Sequence, residues 1–228
     1  MGQRMNEQQA AVLRQHMVLE IAAQTVLAGE RIGKYNLDAR VMEIMGKVPR
    51  HEFVPVEIQP YAYLNRPLPI GFDKTISQPF IVALMTDMLE IRKEDVVLEI
   101  GTGLGYQAAV LAELAHKVYS MEIIEALAQQ AVKRLSRAGY TNVEVKVANG
   151  SHGLPEHAPF DKVMVTAAPD LIPPPLINQL KPGGRMVIPA GLSDNQQLIL
   201  VEKSANGRLS TREILPVRFS QLEGAESI

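Results

Sequence analysis

The stretch "VVLEIGTGLGYQAAVLAEL" (96–114) decides the fold. Val96 to Ile100 form a short apolar run rich in β-branched residues, the mark of a strand buried on both faces. Glycines follow at alternate positions, Gly101, Gly103 and Gly105, and a helical pattern opens at Tyr106. Strand, glycine turn and helix in that order make the first unit of a doubly wound sheet, which binds ligands at the carboxyl ends of its strands.

Working downstream, the alternation continues. "KVYSM" (117–121), "NVEVKVA" (142–148), "DKVMVTA" (161–167) and "GRMVIPA" (184–190) read as strands. Between them, "IEALAQQAVKRLSRAG" (124–139) is a helix closed by glycine and "PPLINQL" (174–180) a helix opened by prolines. "QQLILVEK" (196–203) and "TREILPVRF" (211–219) are joined by "SANGRLS", whose Asn-Gly pair signals a hairpin. The expected fold class is α/β, a doubly wound and mostly parallel sheet with an antiparallel C-terminal edge hairpin.

Upstream, residues 4 to 28 read as one helix that Gly29 and Gly33 then break, and residues 37–45 as a second, short one. Together they predict an N-terminal helical cap. "VPRHEFVPVEIQPYAYLNRPLPIG" (48–71) reads as an irregular covering segment. After Pro79, "FIVALMTDMLEI" (80–91) is helical, with Ile81, Val82, Met85, Met88 and Leu89 on one face. Three parts of a single structural domain are expected: a helical and covering part (1–78), a ligand-binding core (79–195) and a terminal strand pair (196–228).

At 228 residues and 46% hydrophobic content, the chain has ample material for one packed core. A formal net charge of -2 gives no expectation of a nucleic-acid or anionic-membrane surface. Cysteine is absent, which rules out disulfides and thiolate metal sites, and the five histidines show no metal-ligand spacing. The first twenty residues carry no signal-peptide core, and Asn6 stands where a myristoylation motif at Gly2 requires Ser or Thr. No apolar run approaches the roughly 18 residues that span a bilayer. A cytoplasmic protein, monomeric or weakly dimeric, is expected.

Glycine spacing narrows the ligand. The dinucleotide fingerprint is G-x-G-x-x-G, but here the spacing is G-x-G-x-G with Tyr106 in the sixth place. Between Glu99 and Ala115 there is no Lys or Arg to meet a pyrophosphate. That pattern suits S-adenosylmethionine, which carries no phosphate but has an amino group and a sulfonium. Glu99 adds negative charge, Glu122 ends the second strand where an acid takes up a ribose diol, and Asn149 ends the third, in an Asn-Gly pair that is equally a turn signal.

With these residues the chain resembles the class I S-adenosylmethionine-dependent methyltransferases, and more narrowly the protein-L-isoaspartate O-methyltransferases. The matching segments are "VPRHEFVP" (48–55), "RPLPIG" with "TISQP" (66–79), "VLEIGTGLGYQAAVLAEL" (97–114), "APFDKVMVTAAP" (158–169), "LKPGGRMVIPAG" (180–191) and "LPVRF" (215–219). The resemblance implies a Rossmann-like sheet and methyl transfer to the free α-carboxylate of L-isoaspartyl residues in damaged proteins or peptides. The ester then closes to a succinimide and reopens in part as aspartate. Carried over by position, Ser77 stands at the acceptor carboxylate, with Thr75, Ile76, Gln78, Ala168 and Pro169 around the acceptor. Glu99, Gly101, Thr102, Gly103, Gly105, Glu122, Asn149 and Thr166 are expected around the cofactor. Three stretches depart from the family pattern: Asn149 replaces an aspartate, Asp73 and Lys74 replace Gly-Gln, and "AGERIGKYNLDAR" (28–40) is longer than usual.

A carboxylate acceptor is ionised at neutral pH, so the reaction requires alignment and desolvation rather than a strong base. Ser77 suits a hydrogen-bond donor to that carboxylate, and suits equally an N-cap for the helix after Pro79. Two alternatives stay open on sequence alone. One is a carboxyl methyltransferase for another peptide or small-molecule acceptor, the other a cofactor-binding paralogue without transfer.

Overall fold

The computed structural model describes residues 5–224; Gly2 and Arg4, the expected first residue of the helix, lie outside them. Asn6 caps α1 (Glu7–Ile32), its side chain accepting from the Gln9 amide. Gly29 does not break this helix. A lone glycine costs a helix only about 1 kcal/mol, and at Gly29 a Cβ would collide with the Tyr35 ring that packs there. The helix ends instead at Gly33, left-handed at φ 78°, whose amide bonds to the Gly29 carbonyl. α2 (Ala39–Met45) follows as expected.

The covering segment is more ordered than its composition predicts. It holds two 3-10 turns (Arg50–Phe53 and Val56–Tyr61) and a hairpin of β1 (Leu68–Gly71) with β2 (Lys74–Ile76). Phe72 and Asp73 make the hairpin's turn, both at positive φ (55° and 54°). With no glycine at either position, the usual signal for such a turn is missing. α3 (Pro79–Leu89) then begins with proline in its first turn.

The main sheet has seven strands: β3 (Val96–Ile100), β4 (Lys117–Glu122), β5 (Val143–Val147), β6 (Phe160–Val165), β7 (Leu180–Ala190), β8 (Gln196–Lys203) and β9 (Leu209–Val217). Their spatial order is β5-β4-β3-β6-β7-β8-β9. The first five are parallel, while β8 runs antiparallel to both β7 and β9, as the hairpin signal predicts. α4 (Tyr106–Ala112), α5 (Glu125–Arg137) and the short α6 (Pro174–Asn178) complete the alternation.

Alternate residues of each central strand serve opposite faces. Val97, Val118, Met164 and Val187 pack beneath the layer of α1 to α5. Leu98, Ile100, Val163 and Val165 face the thinner layer that includes Leu176 of α6. The chain leaves β3 toward β4 but leaves β6 toward β7, so a crevice opens between the carboxyl ends of β3 and β6. Among the described residues, no helix is long and apolar enough to cross a membrane.

Candidate active site

The glycine loop leaves β3 at Gly101, and the amides of Gly101 and Thr102 both donate to the Met121 carbonyl (2.8 and 3.2 Å). Gly101 sits at φ 95°, and a Cβ there would collide with the Thr166 hydroxyl. That hydroxyl caps β6 and donates to the Gly101 carbonyl at 2.7 Å. At the end of β4, Glu122 accepts from the Gly103 amide (2.8 Å) and the Ile124 amide (3.0 Å). Loop and acid therefore hold each other, with one edge of the Glu122 carboxylate facing a narrow cleft of about 80 Å3.

Gly101, Gly103, Glu122 and Thr166 line this cleft, as the sequence predicts. Its apolar wall comes from Ile100, Met121, Ile123 and Leu127. The outer wall is a strap, residues 220–223, that no sequence signal marked. Ala168 holds the strap in strand fashion, donating to the Ser220 carbonyl and accepting from the Leu222 amide (2.8 and 2.9 Å). Lys74 closes it from the hairpin side through an ion pair with Glu223 at 2.5 Å. The charged residues around the cleft are thus Glu122, Glu223 and Lys74, a net negative set. A sulfonium and an ammonium fit that set, whereas a pyrophosphate would meet repulsion.

A second cavity, of about 470 Å3, adjoins the first and shares Thr75, Thr166 and Ser220 with it. Ser77 and Gln78 line it, and the one charged residue in its wall is Arg218. Ser77 also borders a smaller space of about 50 Å3 together with Thr75, Ile76, Gly101, Thr102 and Gly103. "TISQP" and the glycine loop, 24 positions apart from Ser77 to Gly101, are therefore brought face to face. Ser77 is not the helix cap. Gln78 occupies the cap position without a side-chain bond to the helix amides, and Asn65 satisfies the Phe80 amide at 3.0 Å from outside the helix. Among the described residues, the Ser77 hydroxyl has no hydrogen-bond partner, and it borders both spaces.

Behind Ser77 lies a residue that the sequence reading quoted in "VPRHEFVP" without singling it out. Arg50 is fully buried, donating to the carbonyls of Ala62 and Ser77 (both 2.7 Å), with its guanidinium 4.8 Å from the Tyr106 ring centre. Burial lowers its pKa to about 10, so it remains a cation at neutral pH, and its Nη1 has no partner. Arg218, the only cation in "LPVRF", is a second basic residue that no motif marks for the site. A carboxylate acceptor should have called for a cation, and that was the available signal.

Five expected residues stand elsewhere. Glu99 is wholly buried beneath the loop and lines neither cavity. Its carboxyl meets the Ser120 hydroxyl, which in turn meets the Thr102 hydroxyl at 2.5 Å, while its other oxygen has no partner. Burial, helped by the nearby Glu122 charge and opposed by Ser120, pushes Glu99 up to about 8. Ser120 donates to this carboxyl and links it through Thr102 to the glycine loop, so Glu99 supports the loop instead of facing a cation. Asn149 caps the turn at residues 150–152, its carbonyl accepting from the Ser151 amide and hydroxyl (both 2.9 Å) and its amide donating to the Gly224 carbonyl (3.0 Å). The turn reading of Asn-Gly describes it. Ala168 and Pro169 are buried and hold backbone partners, the strap and Gly191, rather than lining the second cavity. Gly105, left-handed at φ 98°, starts α4 against Leu135.

The strand order, the glycine turn after the first parallel strand and the acid ending the second define the class I methyltransferase fold. The chain belongs to the protein-L-isoaspartate(D-aspartate) O-methyltransferase family, whose model matches residues 22–227. It is 68% identical over 225 residues to protein-L-isoaspartate O-methyltransferase 1 of a Polaromonas species, covering 99% of this chain and 95% of that one. Protein-L-isoaspartate O-methyltransferase 2 of Syntrophobacter fumaroxidans is 61% identical over 212 residues, 92% of this chain and 86% of that one. A solved protein-L-isoaspartate O-methyltransferase superposes with a TM-score of 0.79 at 28% identity, over 92% of this chain and 66% of its own.

Proposed function

We propose that the protein transfers a methyl group from S-adenosylmethionine to the free α-carboxylate of L-isoaspartyl residues in damaged polypeptides, initiating their repair. The observation that carries this reading is the opposite charge of two adjoining cavities. Glu122 and Glu223 outweigh Lys74 around the narrow one, while Arg218 is the sole charge of the wider one. A cationic donor and an anionic acceptor would meet across the shared wall of Thr75, Thr166 and Ser220.

When bound, S-adenosylmethionine supplies an electrophilic methyl carried on sulfonium. Glu122 would hold the ribose diol, and the Gly101–Gly103 backbone lets the donor approach the ends of β3 and β6. The residues around the shared wall would bring an anionic carboxylate against a cationic donor, so the opposite charges of the two cavities suit a transfer in which both charges disappear. Such a reaction gains from a dry site, which the strap and the covering segment provide. Ser77 would orient the carboxylate by donating a hydrogen bond, worth about 1.5–3 kcal/mol toward a charged partner. Arg218 at the rim and Arg50 behind Ser77 favour the ionised acceptor. No proton has to be removed, which agrees with cavities lined by no histidine. Within the one domain, the part before Pro79 and residues 216–220 would supply most of the acceptor side, and residues 79–195 with the strap most of the donor side. The absence of cysteine and a net charge of -2 support a cytoplasmic protein, monomeric or weakly dimeric, acting without nucleic acid.

The test is transfer of labelled methyl to a synthetic L-isoaspartyl peptide and to its aspartyl twin, with titration calorimetry of the donor alongside. Labelling of the isoaspartyl peptide alone is expected. Equal labelling of both, or of neither, refutes the reading.

A further inference from the structure

We propose that one stripe of α1 forms, with α3 and β9, a docking groove for the polypeptide flanking the acceptor residue, and that the groove selects apolar side chains. The inference rests on the reading above, that the acceptor belongs to a polypeptide.

Glu20, Ala23, Gln24, Leu27, Ala28 and Arg31 recur at helical spacing and therefore share one face of α1. This is not the core face, which Met17, Ile21, Thr25, Gly29 and Ile32 form. The stripe lines a groove of about 800 Å3 whose far wall is Phe80, Ile81, Leu215 and Pro216. Leu27, at its middle, is 87% exposed and contributes little to packing the fold.

Continuity with the acceptor cavity identifies the occupant. Gln78, Ile81 and Pro216 line both spaces. An amide cluster fixes α1 at their junction: Gln24 accepts from Asn65 (2.7 Å) and from Gln78 (3.1 Å), and Gln78 also donates to the Asn65 carbonyl (3.0 Å). α1 is thus registered directly against "TISQP". On its other side the acceptor cavity meets the donor cleft, walled by the strap, so a chain seated at Ser77 has its open path along α1. From Glu20 to Arg31 the helix advances about 16 Å, enough for about five residues of extended chain. Small side chains at Ala23 and Ala28 let that chain approach the helix, and Leu27 gives it an apolar surface.

The experiment compares isoaspartyl peptides of increasing length, extended on either side of the acceptor with leucine or with aspartate. Its readout is kcat/KM for each long peptide relative to a minimal tripeptide. Leucine extension on one side is expected to raise that ratio, and Leu27→Asp or Ala23→Phe to lower it roughly tenfold, the factor for covering one aliphatic side chain. Val12→Asp, at a position of α1 that is 58% exposed and lines no part of the groove, should leave the ratio alone. A wild-type enzyme that labels the tripeptide yet is indifferent to flanking residues, or variants that lose short and long peptides equally, would overturn the groove and spare the reading of function. Failure to label any isoaspartyl peptide sinks both. A dimer that Leu27→Asp dissociates would give the groove to a second copy of this chain and also overturn the proposal.

Discussion

The donor cleft and the acceptor cavity share a wall but are built in contrasting ways. The cleft is framed mainly by backbone, through glycine amides, strand ends and a strap held by main-chain bonds, with Glu122 locked to Gly103 and Ile124 and apolar side chains along one wall. It measures about 80 Å3, against roughly 300–1,000 Å3 for an ordinary ligand pocket. The acceptor cavity, at about 470 Å3, is made by side chains from the covering segment, "TISQP" and β9. A backbone-built site suits one invariant ligand. A wider, side-chain-built one suits acceptors that share a carboxylate but differ in their surroundings.

The largest expected effect breaks the backbone side. Gly101→Ala adds a Cβ at a left-handed position against Thr166, and a left-handed non-glycine residue alone costs about 1–2 kcal/mol. Donor affinity measured by calorimetry should fall at least about a hundredfold. Breaking the other side should leave donor affinity nearly intact. Ser77→Ala is expected to lower kcat/KM about ten- to a hundredfold through the lost bond to a charged acceptor, and a comparable loss of donor binding would show that Ser77 is mainly structural. Arg218→Met should raise the acceptor KM severalfold, as befits an exposed charge, and steady-state kinetics at two salt concentrations would check it.

The smallest effect concerns the support beneath the cleft. The folded protein keeps the Glu99 proton up to about pH 8, whereas an ordinary glutamate releases it near 4.5. Stability from this group is therefore complete below that lower value and is lost as pH rises through the folded one. Glu99→Gln keeps the shape without the charge. It should flatten the decline in Tm between about pH 5 and pH 8; an unchanged slope would show that another group sets it.

What the sequence disclosed, and what it concealed, divides along the same line. Parallel strands, the glycine loop, Glu122 and the C-terminal hairpin were legible because each follows from local periodicity or turn chemistry. Residues whose role depends on distant partners were not. Asn149 is settled by Gly224, 75 positions away, and Lys74 by Glu223, 149 positions away. Its place at a strand end suggests Glu99 as negative charge for a cationic ligand, but Ser120, from the neighbouring strand, meets its carboxyl instead. Arg50 and Arg218 looked like ordinary basic residues until folding placed one behind Ser77 and the other in the wall of the acceptor cavity. The β1–β2 hairpin stayed hidden because Phe72 and Asp73 adopt a backbone that usually announces itself with glycine or asparagine.

Lys74 and Asp73, the two charges that replace Gly-Gln in this chain, part company in the structure. Asp73 stays at the exposed hairpin tip, while Lys74 reaches across to Glu223 and latches the strap over the donor cleft. The Lys74–Glu223 pair across the strap is expected to slow exchange of a nucleoside-sized cofactor at the cleft it borders. Because half of Glu223 is open to solvent, dissolved salt competes for the pair. Release of S-adenosylhomocysteine should accordingly quicken as ionic strength rises, and Lys74→Gln should remove that dependence, which stopped-flow measurement of product release at two salt concentrations would check.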